Sequence, residues 1–141
     1  MVGPAPDPGT ASSLAGVAAL LATNKLSEAA QLLERTLAAD PSDPAAHTLE
    51  GFLHDVEGRL EQALASYRAA LFLDAGLFQA RYLLAETLRR LGHANRAAHE
   101  YREVLALLTG GRARALEVLA SLPIPDREQT RRRSQQALAS L

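Results

Sequence analysis

His47 and His54 are the residues of this sequence with the most obvious chemical reach. They lie seven residues apart, which puts them on one face of a helix, with Asp55 close by. Two imidazoles and a carboxylate in that arrangement could serve a metal ion or an acid–base pair. His93 and His99 have no ligand spacing and read as exposed. The other concentration of charge is Arg131-Arg132-Arg133, which suits an acidic partner, nucleic acid or a membrane surface. No aromatic residue is interleaved with it for base stacking. Glu128 stands four residues before Arg132, so the two can pair along a helix, and a solvated helix face is the simpler reading.

Other chemistries have no residues to carry them. The chain has no Cys, which removes disulfides, thiolate metal sites and cysteine nucleophiles. There is no G-x-S-x-G, no phosphate-binding glycine loop and no H-E-x-x-H. The expectation is therefore a non-enzyme without cofactor or metal. LAGVAALLA (14–22) has the apolar character of a signal-peptide core, but no Lys or Arg precedes it and Asp7 does. No run approaches the roughly 20 apolar residues of a membrane span. A soluble, cytoplasmic monomer that uses neither nucleic acid nor membrane is expected.

The elements that would position these side chains are helices. Apolar residues make up 48% and aromatics only 4%, with Ala and Leu dominant and β-branched residues scarce. The 141 residues suit one domain. MVGPAPDPG (1–9) reads as a linker. Then GRLEQALASY (58–67) and GHANRAAHEY (92–101) share Gly, Ala and Tyr in register, 34 residues apart. A period of that length marks stacked helical hairpins. Three frames follow, 10–43, 44–77 and 78–111, each with two amphipathic helices. Asp43 and Pro44 are placed as cap and first residue of a helix, and Asp40-Pro41 stops the one before. After Gly110-Gly111, RARALEVLASL (112–122) reads as a capping helix and 126–140 as a basic tail helix, with Asp126 and Gln129 spaced for a capping box.

In this register the chain resembles a tetratricopeptide repeat (TPR) protein. That family keeps small residues where helices touch, matched here by Ala29, Gly51, Ala63, Ala70, Ala85 and Ala97. It keeps bulky residues between them, matched by Leu20, Leu33, Tyr67, Leu84, Leu88 and Tyr101. The departures are Gly16-Val17 for Leu-Gly, Asn24 for Gly, and Val104 for a small residue. The resemblance implies an all-α solenoid of three repeats, and it gives His47 and His54 packing roles.

It also implies a concave face lined by the first helix of each hairpin. Those positions hold Leu14, Ala18 and Leu21, then Ala45, Thr48, Phe52, Asp55 and Val56, then Gln79, Tyr82, Glu86, Arg89 and Arg90. An apolar patch with a charged rim is the usual anatomy of a binding surface. The implied function is recognition of a partner protein's helix or peptide, with Phe52 and Tyr82 as anchors and Asp55, Glu86 and Arg89 setting specificity. The final helix could instead fold back and fill the groove. The Lys and Asn with which some TPR domains grip a C-terminal carboxylate are replaced by Leu14 and Ala18, and the basic residues by Gln79 and Leu83. Self-assembly, or capture of an acidic partner through Arg131, Arg132 and Arg133, remains an alternative role.

Residues 67–108, with the Phe72-Leu73-Asp74 join and the close at Leu105, Leu107 and Leu108, further resemble the TPR extension of bacterial chemotaxis-receptor methyltransferases. That resemblance implies a regulatory domain of a larger signalling protein, acting on a receptor or on a methyltransferase domain in cis.

Overall fold

A computed structural model describes residues 8–141, with side chains from residue 13 onward. The expected linker at 1–9 lies outside the described residues except for Pro8 and Gly9, which begin a helix. Six helices form three antiparallel hairpins: α1 (Pro8–Ala22) with α2 (Leu26–Ala39), α3 (Pro44–Val56) with α4 (Leu60–Leu73), and α5 (Phe78–Arg90) with α6 (Ala94–Thr109). Each hairpin packs on the next through α2 with α3 and α4 with α5. The last helix, α7 (Arg127–Ser140), packs on α6.

Local chemistry explains these boundaries. The turns inside the three hairpins place Asn24, Gly58 and Gly92 in the left-handed region, at φ of 60°, 78° and 84°. Glycine reaches that region without strain and asparagine is the side-chain residue that most readily follows it, so Asn24 does in the first hairpin what glycine does in the others. The Asp43 carboxylate accepts from the Ala45 N–H at 2.8 Å, and Pro44 opens α3. At α7, Asp126 accepts from the Gln129 N–H at 2.8 Å and the Gln129 side chain accepts from the Asp126 N–H, which completes the expected capping box.

The small positions are where the backbones come close. A Cβ on Gly51 would stand 2.5 Å from the ring of Tyr67, which is itself fully buried. Ala29, Ala63, Ala70, Ala85 and Ala97 are all fully buried. Tyr67 and Tyr101 fill the matching gaps in the second and third hairpins. Their hydroxyls reach acids on the partner helices: Tyr67 donates to Asp55 at 3.4 Å and Tyr101 to Glu86 at 2.7 Å.

One element differs from expectation. Residues 112–122 do not form a capping α-helix. They run as an irregular strap with a single 3-10 turn at Glu117–Ser121. A helix of about ten residues is marginal on its own, and here the backbone of Arg114 is drawn into a parallel bridge with Leu77 instead. Leu119 and Leu122 enter the apolar cluster built by α1, α2 and α3. Leu116 and Ile124 touch both that cluster and the second one, built by α4, α5 and α6. The strap therefore joins the two cores.

Candidate interaction face

The inner face runs along α1, α3 and α5, and the strap covers much of it. Leu14, Ala18 and Leu21 on α1 are buried, as are Ala45 and Thr48 on α3 and Gln79 and Tyr82 on α5. Leu119, at 0% exposure, sits in the same cluster as the α1 residues. The Leu116 N–H donates to the Gln79 side-chain oxygen at 2.6 Å. Of the two readings, an open groove and one filled by the chain itself, these positions have the second. The segment before the final helix fills the α1 end, and the final helix lies across from Tyr82 at the α5 end. Full burial of a leucine is worth about 1.5–3 kcal/mol, which is the driving force for seating Leu119.

The other end of the inner face stays open. Tyr82, Glu86 and Arg89 of α5 face Arg133, Gln136, Ala137 and Ser140 of α7 across a cleft of about 400 Å³. The structure so brings together three of the expected groove residues and one Arg of the tail. Glu86 accepts from Tyr101 at 2.7 Å on one oxygen and from Arg89 at 2.7 Å on the other. That pairing raises the pKa of Arg89. Burial raises the Tyr82 phenol above its ordinary value, with Glu86 adding to the rise and Arg133 opposing it. Arg133 has no carboxylate at ion-pair distance among the described residues. The cleft therefore offers a buried aromatic floor and, at its rim, a cation that meets the Tyr82 phenol and no carboxylate.

The remaining site residues fall elsewhere. Asp55 is committed to the joint between hairpins, holding Tyr67, Thr87 at 3.2 Å and the guanidinium of Arg90. Phe52 is half-buried against the first cluster, and Tyr82 is only 4% exposed, edge-on to Tyr101 with ring centroids 6.2 Å apart. Neither ring projects as a free anchor. In the tail, Glu128 pairs with Arg131 at 2.9 Å instead of Arg132. Arg132 faces solvent.

The histidines do not converge. His47 donates from Nε2 to the Pro41 carbonyl at 2.7 Å, since a carbonyl only accepts. His54 lines a separate hollow between α2 and α3. Among the described residues no group of His, Asp and Glu is placed to hold a metal ion. No helix among them is long and apolar enough to cross a membrane.

Asp74 is a residue whose role the sequence did not disclose. Its carboxylate accepts from the Gly76 N–H at 3.1 Å and pairs with Arg114 at 2.6 Å, which fastens the strap to the α4–α5 turn. The two are 40 residues apart, so no local pattern signals the contact.

No protein-family profile matches the chain, and no curated protein matches it in sequence. Solved structures do resemble it. The type III secretion chaperone SycD of Yersinia enterocolitica, in complex with a peptide of the translocator YopD, superposes with a TM-score of 0.75 at 17% identity, covering 95% of this chain and 93% of that one. PcrH of Pseudomonas aeruginosa gives 0.76 at 18% identity, covering 99% and 96%. The first TPR of Spaghetti (RPAP3), bound to the HSP90 peptide SRMEEVD, gives 0.69 at 19%, covering 94% and 96%. The hairpin order, the close-packed small residues and these likenesses lead to one conclusion about architecture: the chain is an all-α solenoid of the TPR type.

Proposed function

We propose that the chain is a protein-recognition module, and that a partner segment docks at the open end of the inner face. The observation that carries this is the cleft between α5 and α7, where Tyr82, Glu86 and Arg89 meet Arg133, a cation with no carboxylate partner among the described residues. An aromatic floor with a cation at its rim suits a segment that carries an apolar side chain beside a carboxylate. SycD and the RPAP3 domain, which share the fold, were solved with peptides. The narrower role, as the regulatory extension of a chemotaxis-receptor methyltransferase, rests on the resemblance of residues 67–108 alone.

The test uses the whole chain as bait in lysate beside an Arg89→Ala/Arg133→Ala variant, with bound proteins identified by mass spectrometry. Both side chains sit at the surface, so the fold should survive. The expected result is a set of proteins held by the wild type and lost from the variant. If the same proteins bind both baits, the cleft is not the docking site. Chemotaxis receptors or a methyltransferase domain among the lost proteins would support the narrower role.

A further inference from the structure

The strap turns one row of side chains inward. Ala113 and Leu116 are half-buried, and Leu119, Leu122 and Pro125 are buried, one at every third position. The residues between them are exposed, apart from the half-buried Val118 and Ile124. Three residues is the period of the 3-10 turn at Glu117–Ser121, and the irregular segments on either side keep the same spacing, so a single ridge meets the groove.

Its polar ties to the three hairpins cluster at the front. The Arg114 N–H donates to the Gly76 carbonyl at 2.7 Å, and the Arg114 carbonyl accepts from the Phe78 N–H at 3.3 Å. Leu116 is held by Gln79 and the Arg114 guanidinium by Asp74. From Leu116 to Ile124 the backbone bonds are internal: Leu119 to Leu116, Leu122 to Leu119, Ile124 to Leu122. Helix α7 ties to both ends of the strap, Arg127 donating to the Ala113 carbonyl at 3.5 Å and the Thr130 hydroxyl to the Pro125 carbonyl at 3.2 Å, and the chain breaks helical structure on either side of it. Gly110 and Gly111 precede it, with Gly111 in the left-handed region, and Pro123 and Pro125 follow.

Main-chain bonds and an ion pair at one end, then aliphatic side chains seated in a row, are how a groove holds a peptide. We propose that the strap is a built-in occupant of a peptide groove. The groove takes a partner segment of the form Arg-x-Leu-x-x-Leu-x-x-Leu, and residues 114–122 hold that place in cis until such a segment displaces them. Asp74 selects the cation, Gln79 binds the backbone, and the joined apolar clusters take the three leucines. The cis copy is present at high effective concentration, so a free segment must compete against it. The proposal rests on the reading of the inner face as a recognition surface and adds what that surface accepts.

A fluorescent synthetic peptide of residues 112–125 tests it by anisotropy against the full chain. Leu119→Asp/Leu122→Asp in the chain should loosen the strap and bind the peptide at least tenfold more tightly than the wild type. A peptide carrying Leu119→Asp should not bind. A folded variant that ignores the peptide, or a wild type that binds it as tightly as the variant, would overturn the proposal. If circular dichroism shows the double variant unfolded, Arg114→Ala serves, since it removes an exposed ion pair and no core contact. It should tighten peptide binding several-fold and speed hydrogen exchange at the Phe78 and Leu116 amides; no change in either refutes the idea. A wild-type dimer by light scattering, formed by exchange of straps, would replace the partner with a second copy. Arg133→Ala should leave the peptide affinity unchanged, which separates failure here from failure of the α5–α7 cleft as a docking site.

Discussion

The two ends of the inner face belong to the same repeat positions and have opposite fates. At the α1 end, Leu14, Ala18 and Leu21 lie under Leu119 and Leu122. At the α5 end, Glu86, Arg89 and Arg133 border an open cleft. Side-chain chemistry accounts for the contrast. Apolar surface left in water costs about 25 cal/mol per Å², so the chain's own strap is drawn over it. Charged groups lose more by desolvation than a cover would return, so the cleft stays wet. A curved helical stack thus offers a surface whose coverage is decided locally, residue by residue.

The largest expected effect lies at the covered end. Leu119→Ala should cost about 2–5 kcal/mol in denaturant unfolding, the range for a fully buried leucine. A loss below about 1 kcal/mol would mean the strap is a surface decoration and the contrast is wrong. Next comes the tyrosine–acid joint that supports the open end. Tyr101→Phe should cost about 1.5–3 kcal/mol by removing the bond to the Glu86 carboxylate.

The same joint has a pH signature. Burial first, then Glu86, holds the Tyr101 phenol well above its ordinary value of 10.0; burial and then Asp55 do the same for Tyr67. In the unfolded chain both ionise near 10, so above that pH the folded state holds more protons than the unfolded one. Stability should be level below pH 10 and fall as the pH rises past it. Denaturant midpoints from pH 8 to 11 would show this, and Tyr67→Phe with Tyr101→Phe should flatten the slope. The smallest effect belongs to the rim: Arg133→Ala should change stability by less than about 0.5 kcal/mol. A larger shift in melting temperature would show that Arg133 is structural and not free for a partner.

Much of the hairpin framework was legible because its signals are local. Gly58 and Gly92 mark two of the turns, Asp43-Pro44 and Asp126 with Gln129 mark helix starts, and Ala and Gly mark the contacts, whereas Asn24 read as a departure and takes the glycine's place only in the structure. Each depends on residues within a few positions, or on a repeat that displays the same demand several times. The site was only partly legible. Tyr82, Glu86 and Arg89 were recognisable as inner-face residues from their register, but Arg133 joins them only because α7 packs on α6 and so faces α5 across the cleft. Asp55, marked for specificity, is consumed by Tyr67, Thr87 and Arg90, two of them on another hairpin.

By itself the sequence determined the helices, their turns and the order in which they stack, since backbone preference and the burial of one apolar stripe per helix suffice for that. Only the tertiary structure decided what becomes of RARALEVLASL. Its Leu and Ala content suits a helix, yet an apolar inner face lay within reach. Seating Leu116, Leu119 and Leu122 in that face, with Asp74 and Gln79 holding the chain, outweighs the hydrogen bonds of a short exposed helix. That balance depends on a surface assembled from three hairpins, which no window along the chain contains.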